Sequence, residues 1–270
     1  KIAQTLTIAG SDSGGGAGLQ ADLKTFQMRG VFGTSVLTAI TAQNTLGVFD
    51  IHSVPLSTIE SQLKAIAEDF QISAFKIGML GTAEVIECVV NALRQYNFGK
   101  LALDPVMIAK GGAPLLQQNA INALKTHLLQ LADVITPNLP EAEALTGVKI
   151  IDDTTAYQAA KKLQDLGVST VVIKGGHLAD SQSTHCRDWV FTPTEHFTLE
   201  CPRFPTRHTH GTGCTFSACI TAELAKGQAV ENAIKIAKAY ISAAISHPLN
   251  IGQGHGPTNH WAYQDLPIEE

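Results

Sequence analysis

Short apolar runs that alternate with helix-period segments along nearly the whole chain leave few folds open. "TLTIAG" (5–10) reads as a strand, a Gly-rich loop follows, and "LQADLKTFQMRG" carries a helical pattern stopped by Gly30. "TSVLTAIT" is small and β-branched, as expected of a strand buried on both faces. Helical periods are expected over 56–69, 82–97, 117–131, 153–166, 213–226 and 228–246, with a short helix after "TPNLP". Strands are expected at "AFKIGML", "KLALD", "DVIT" and "TVVIKGG". "DWVFT" and "EHFTLEC" read as a two-stranded excursion around Pro193. This alternation predicts one mainly parallel sheet covered by helices on both faces, a three-layer α/β/α architecture. No Pro/Ser-rich linker or repeat divides the chain, so residues 1–270 are expected to form a single domain.

In such sheets ligands sit at the carboxyl ends of the strands. Asp12, Gln43, Gly78, Asp104, Asn138, Lys174 and the glycines around Cys214 fall there. The partner class is narrowed by charge. A formal net charge of −5 disfavours nucleic acid or an acidic membrane surface, and no apolar run is long enough to span a bilayer. With 44% hydrophobic and 16% charged residues, the chain reads as soluble and globular. Cys88, Cys186, Cys201, Cys214 and Cys219 are odd in number and form no C-x-x-C or zinc spacing. They are expected to be reduced thiols of a cytoplasmic protein.

Two glycine-rich stretches carry the chemistry. "GAGLQA" (16–21) matches a dinucleotide fingerprint, but the next strand brings no acidic residue for a ribose. A backbone cradle for a small polar ligand, or a plain flexible turn, fits this loop better. No G-x-x-x-x-G-K-[ST] occurs, so a nucleotide phosphate needs another anion hole. "HGTGCT" (210–215) offers one, because glycines at a helix start expose N–H donors and the positive dipole end. The same field is expected to lower the thiol pKa of Cys214; the competing reading is a small packed cysteine. Asn138 and Glu141 in "TPNLPEAEAL" read equally as a proline turn opening a helix or as a carboxylate site for hydrated Mg²⁺. Asp104 reads as a turn-initiating aspartate or a ligand-site acid. Lys174 reads as a solvated lysine or a phosphate clamp. His177, His208 and His210 show no metal spacing and are expected as loop histidines.

In order, "TIAGSDSGGGAGLQADLKTF", "TAQNT", "KIGML", "LDPVM", "TPNLPEAEAL", "KGGH", "HGTGCTFSA" and "GHGPTNH" resemble the ribokinase-like superfamily. Within it they resemble the hydroxymethylpyrimidine/phosphomethylpyrimidine kinases of thiamine synthesis. The resemblance implies that ATP and Mg²⁺ are used and that a pyrimidine alcohol and then its monophosphate are phosphorylated. It implies an anion hole at Gly211, Thr212 and Gly213, with Cys214 standing where the superfamily usually places an aspartate base. It makes Asn138 and Glu141 the N-x-x-E motif for Mg²⁺ and phosphate, with Asp104 beside the metal and phosphate and Lys174 on the nucleotide phosphate. Gln43 and Asp22 match positions that read the aminopyrimidine, and Gly10 and Met79 match walls of that pocket. A homodimer is also implied. The nearest rival is a pyridoxal kinase, but the lid segment "MIAKGGAP" (107–114) has Ala109 where such members carry a second cysteine. Outside the kinases stand a Cys–His hydrolase using Cys214 with His208 or His210, and a silent ligand-binding protein.

Overall fold

The computed structural model describes residues 1–109, 112–176 and 185–264. Its centre is an eight-stranded sheet in the order β10-β9-β8-β7-β6-β5-β1-β2. The strands are β1 (Gln4–Ala9), β2 (Phe32–Leu37), β5 (Ile72–Ile77), β6 (Lys100–Leu103), β7 (Val134–Ile135), β8 (Thr170–Lys174), β9 (His185–Phe191) and β10 (His196–Pro202). From β2 to β8 all neighbours are parallel, and β9 and β10 join in antiparallel register. The fold is thus the three-layer, mainly parallel α/β/α arrangement expected from the sequence.

Helices α2 (Leu56–Asp69), α3 (Ala83–Gln95), α4 (Gln118–Ala123), α5 (Leu139–Thr146) and α6 (Asp153–Asp165) cover one face. Ile59, Leu63, Ile86, Val89 and Leu163 pack there against Leu6, Ile8, Leu101 and Ile173 of the sheet. The other face carries α1 (Gly18–Met28), α7 (Thr212–Ala225) and α8 (Val230–Ser246). Every residue of α7 from Thr215 to Leu224 is buried, which is the mark of a helix enclosed on all sides. The interior on this side holds buried charge. Arg29, 1% exposed, donates its Nε–H to Glu223 Oε1 at 2.8 Å and lies over the rings of Tyr240 and Tyr263.

Three sequence expectations need correction. "TSVLTAIT" is not one doubly buried strand. Its first half is β2, an edge strand, and its second half turns out of the sheet as β3 (Ala39–Asn44). β3 pairs with β4 (Gly47–Ser53), which the sequence reading omitted, to form a separate two-stranded flap. β-branched composition marks a strand without saying which sheet it joins. β9 and β10 are likewise no excursion, since Val172 and Ile173 on β8 pair with Val190 and Trp189 and extend the main sheet. Finally, the helix expected over 117–131 is interrupted: α4 passes into a π turn at Leu124–Leu128 and a 3₁₀ turn at Leu129–Leu131.

The chain reverses its direction of travel across the sheet at β1, which lies between β2 and β5. A crevice at the carboxyl ends of β1 and β5 follows from that switch. The flap closes over this end and is stitched in place at both margins. The Ser13 hydroxyl donates to the Gln43 carbonyl at 2.6 Å and accepts the Gln43 N–H at 2.8 Å. From the far end of the chain, His255 N–H donates to the Thr45 carbonyl at 2.8 Å and Gly254 N–H to Thr45 Oγ1 at 3.1 Å.

Candidate active site

The first turn of α7 is the centre of the site. Gly211 caps it in a left-handed conformation, φ 82°, and a Cβ there would overlap the Gly16 carbonyl. Only glycine lets the two loops meet so closely. The first-turn N–H groups of a helix find no carbonyl within it, so those of Gly213 and Cys214 are free of intrahelical partners and point with the dipole towards the crevice. Thr212 closes the turn by donating its hydroxyl to the Thr209 carbonyl at 2.6 Å. Lys174 Nζ and Asp104 Oδ2 lie 3.1 and 3.6 Å from where a Cβ on Gly213 would stand. The missing side chain therefore leaves a cradle with an ammonium beside it, a fit for a phosphate group.

Asp104 follows β6 and is 3% exposed, held by its N–H to the Ile77 carbonyl at 2.9 Å. Lys174 ends β8, where its N–H bonds the Pro137 carbonyl at 2.9 Å. Asn138 and Glu141 form a capping box. Asn138 Oδ1 accepts Glu141 N–H at 2.9 Å, and Glu141 Oε1 accepts Asn138 N–H at 3.0 Å. The helix-start reading of this motif is therefore realised, and it aims Glu141 inward at the same time. Burial and the nearby Asp104 carboxylate push Glu141 up to about 7, partly opposed by Lys174.

At the switch point, Met79 Sδ lies 2.9 Å from where a Cβ on Gly10 would sit, so Gly10 makes room for the Met79 wall. Gln43, on β3, is half-buried and donates through Nε2 to Thr41 Oγ1 at 3.2 Å. Asp22, on α1, is fully buried, pairs with Lys76 Nζ at 2.7 Å, and accepts the Thr7 hydroxyl at 2.6 Å, so each of its oxygens has a partner within the protein. Lys76, which the sequence reading did not single out, also donates to the Cys214 carbonyl at 3.3 Å. A lysine in an apolar strand gives no sign of such a role until its partner is known.

The Cys214 thiol also needs a correction. Its sulfur accepts Gly18 N–H at 3.4 Å and sits above Lys76 at the helix start. Even so, its pKa is pushed up to about 12, because burial outweighs Lys76, and Asp22 and Asp104 add to the rise. Its surroundings therefore favour the protonated thiol. The residue as a whole is half-buried.

The two described loop histidines are structural partners of the crevice. Asp12 accepts N–H groups from Gly14, Gly16 and Ala17 and meets His210 Nε2 at 2.8 Å, which fastens the glycine loop to the start of α7. His208 Nδ1 accepts Gly256 N–H at 3.1 Å. With these partners neither ring forms a dyad with Cys214, whose sulfur is held by Gly18. His177 lies outside the described residues.

One residue beyond Cys214, Thr215 Oγ1 lies 2.9 Å from His260 Nε2. Burial, helped by Lys24, lowers His260 from 6.5 to about 4. The unfolded chain then binds a proton that the folded one refuses, so stability is complete above about 6.5 and lost as pH falls towards 4. Urea midpoints measured across that window should drop more steeply for the native protein than for His260→Gln; equal slopes would exclude His260 as the group responsible.

Comparison with known proteins identifies the family. Residues 12–259 match the phosphomethylpyrimidine kinase family. A hydroxymethylpyrimidine/phosphomethylpyrimidine kinase of Haemophilus influenzae is 69% identical over 98% of this chain and 99% of its own. Among solved structures, the Bacillus subtilis pyridoxal kinase in its ADP complex superimposes with a TM-score of 0.87, at 39% identity over 97% and 98% of the two chains. The Clostridium difficile phosphomethylpyrimidine kinase gives 0.80, at 42% identity over 91% and 100%. With the phosphate cradle, the switch-point crevice and these likenesses in agreement, the chain belongs to the phosphomethylpyrimidine kinase family.

Proposed function

We propose that this protein transfers the γ-phosphoryl group of ATP to 4-amino-5-hydroxymethyl-2-methylpyrimidine, and then a second one to the monophosphate, for thiamine biosynthesis. The observation that carries this reading is the Gly213 cradle, with Lys174 and Asp104 beside it, next to a crevice walled by Gly10, Met79 and Gln43. Phosphoryl transfer asks mainly for positioning and charge stabilisation. The N–H groups at the start of α7 and the Lys174 ammonium supply donors where charge gathers. The Gln43 amide can give and take one hydrogen bond each, as the ring nitrogen and amine of an aminopyrimidine require. We assign to Cys214 the acceptance of the hydroxymethyl proton, a role that needs its thiolate; Gly18 N–H, Lys76 and the helix N-terminus favour that form, while burial and the two nearby carboxylates oppose it.

Asp104 and Glu141 fit a divalent cation, since two buried carboxylates that repel each other are relieved by one. Mg²⁺, which keeps waters and phosphate oxygens in its shell, would be held there and would supply charge neutralisation of the phosphates.

A second reading is favoured by the ligand-bound neighbours: a Staphylococcus aureus pyridoxal kinase in complex with pyridoxal has a TM-score of 0.90 at 35% identity. Against it, the lid position carries Ala109, whose N–H bonds the Ala113 carbonyl at 2.7 Å and which has no thiol to offer an aldehyde. A homodimer in the cytoplasm is the expected setting; sedimentation tests the assembly.

An ADP-release assay with the pyrimidine alcohol, pyridoxal and a thioester decides among these readings. Turnover of the pyrimidine is expected; turnover confined to pyridoxal, or thioester cleavage without ATP, overturns the proposal. Gln43→Leu should cost about 2–4 kcal/mol of pyrimidine affinity, from bonds lost and partners left unsatisfied, with ATP binding unchanged. Calorimetric titration showing undiminished pyrimidine affinity would remove Gln43 from the site.

A further inference from the structure

Cys186 on β9 and Cys201 on β10 are direct partners across the antiparallel pair. Opposed residues put their side chains on one face of the sheet, and here that face meets α8. The ladder bond from Thr192 N–H to the Glu195 carbonyl lies an even number of residues away, so Cys186 and Cys201 are again a hydrogen-bonded pair. The Cα atoms of such a pair lie about 5.5 Å apart, within the span of a disulfide. Opposed Cβ atoms, at roughly 4.5–5.5 Å, are at or beyond the disulfide range of about 3.5–4.5 Å. A bridge therefore forms only by drawing the strands together, and a strained bridge is readily reduced.

Both thiols are half-buried, and they are wired to the nucleotide end of β8. Lys238 of α8 donates to Asp188 Oδ2 at 2.8 Å and also hydrogen-bonds the Cys201 thiol. Asp188 Oδ1 in turn accepts Gly175 N–H at 3.1 Å. Cys186 Sγ lies 3.9 Å from where a Cβ on Gly176 would stand. Gly175 and Gly176 directly follow Lys174, the proposed phosphate clamp.

We propose that Cys186 and Cys201 are a reversible modification site for low-molecular-weight disulfides, and that their oxidation weakens nucleotide binding through Asp188 and the Gly175–Gly176 backbone. The effect on nucleotide rests on the phosphate role of Lys174; the thiol chemistry does not. Cys201, the thiol that hydrogen-bonds the Lys238 side chain, attacks first. With glutathione disulfide, Cys201 Sγ bonds one glutathione sulfur as the glutathione S–S bond breaks and one glutathione thiolate leaves. The Cys186 thiolate then attacks Cys201 Sγ, the mixed disulfide breaks, and the second glutathione thiolate leaves. Two protein thiols are oxidised, one glutathione disulfide is reduced, and the two protons pass to the released thiolates.

The test incubates the whole protein with glutathione disulfide, maps linked peptides by mass spectrometry and measures ATP Kd by equilibrium dialysis. Expected are a Cys186–Cys201 link, a rise in ATP Kd of roughly 2- to 30-fold, the span of coupling through a packed network, and recovery with dithiothreitol. Cys201→Ser should show neither link nor rise. Thiols that stay reduced, a link that leaves ATP Kd unchanged, or an equal rise in Cys201→Ser would each overturn the proposal. Failure of the kinase reading looks different, since the reduced protein would then bind no ATP before any oxidant is added.

Discussion

Cys214→Ala should lower pyrimidine phosphorylation by about 10²–10⁴-fold, the usual effect of removing a general base, while ATP still binds through the α7 backbone. Cys214→Ser should fall as far, since a hydroxyl ionises even less readily. Cys214→Asp should recover part of the rate. The raised thiol pKa adds a pH signature. Below about 12 the thiolate fraction grows with pH, so kcat of the native protein should climb through the alkaline range, and Cys214→Asp should be flatter. Steady-state turnover by folded Cys214→Ala decides the matter. A near-native rate would reduce Cys214 to packing, and a covalent acyl adduct on Cys214 would point to hydrolase chemistry.

The largest expected loss of stability lies in the Arg29–Glu223 pair. Both side chains are 2% exposed, and Glu223 Oε1 is also held by Lys226 Nζ at 2.8 Å. Glu223→Ala removes a carboxylate from the buried Arg29 guanidinium and should cost about 1.5–3 kcal/mol, the range for a lost hydrogen bond to a charged group. Glu223 is nine positions beyond Cys214, about 13 Å along α7, so the folded fraction should keep its KM for both substrates. Urea unfolding that shows a loss under about 1 kcal/mol would mean the pair is effectively solvated.

The parallel layers were readable because α2, α3 and α6 carry clean helical periods and β5, β6 and β8 are apolar runs between them. The tight start of α7 was readable because Gly211 and Gly213 announce close backbone approach. What escaped depends on long-range pairing. Thr41 and Gln43 look like the continuation of β2, and only the docking of β4 shows that they leave the sheet. Nothing in the sequence pairs Asp22 with Lys76, 54 positions away. The raised thiol pKa of Cys214 escaped because the helix start is visible in sequence, whereas the two carboxylates that oppose it arrive from α1 and the end of β6.

The stitching of the flap has a consequence for how the protein is made. Thr45 is gripped by Gly254, 209 residues later in the chain. On a ribosome the parallel core can begin to form while the flap still hangs from it, because its clasp is synthesised 209 residues later. Closing so long a loop is slow. The pyrimidine wall should therefore mature after the nucleotide cradle, and a nascent chain should acquire ATP protection before it can recognise its alcohol.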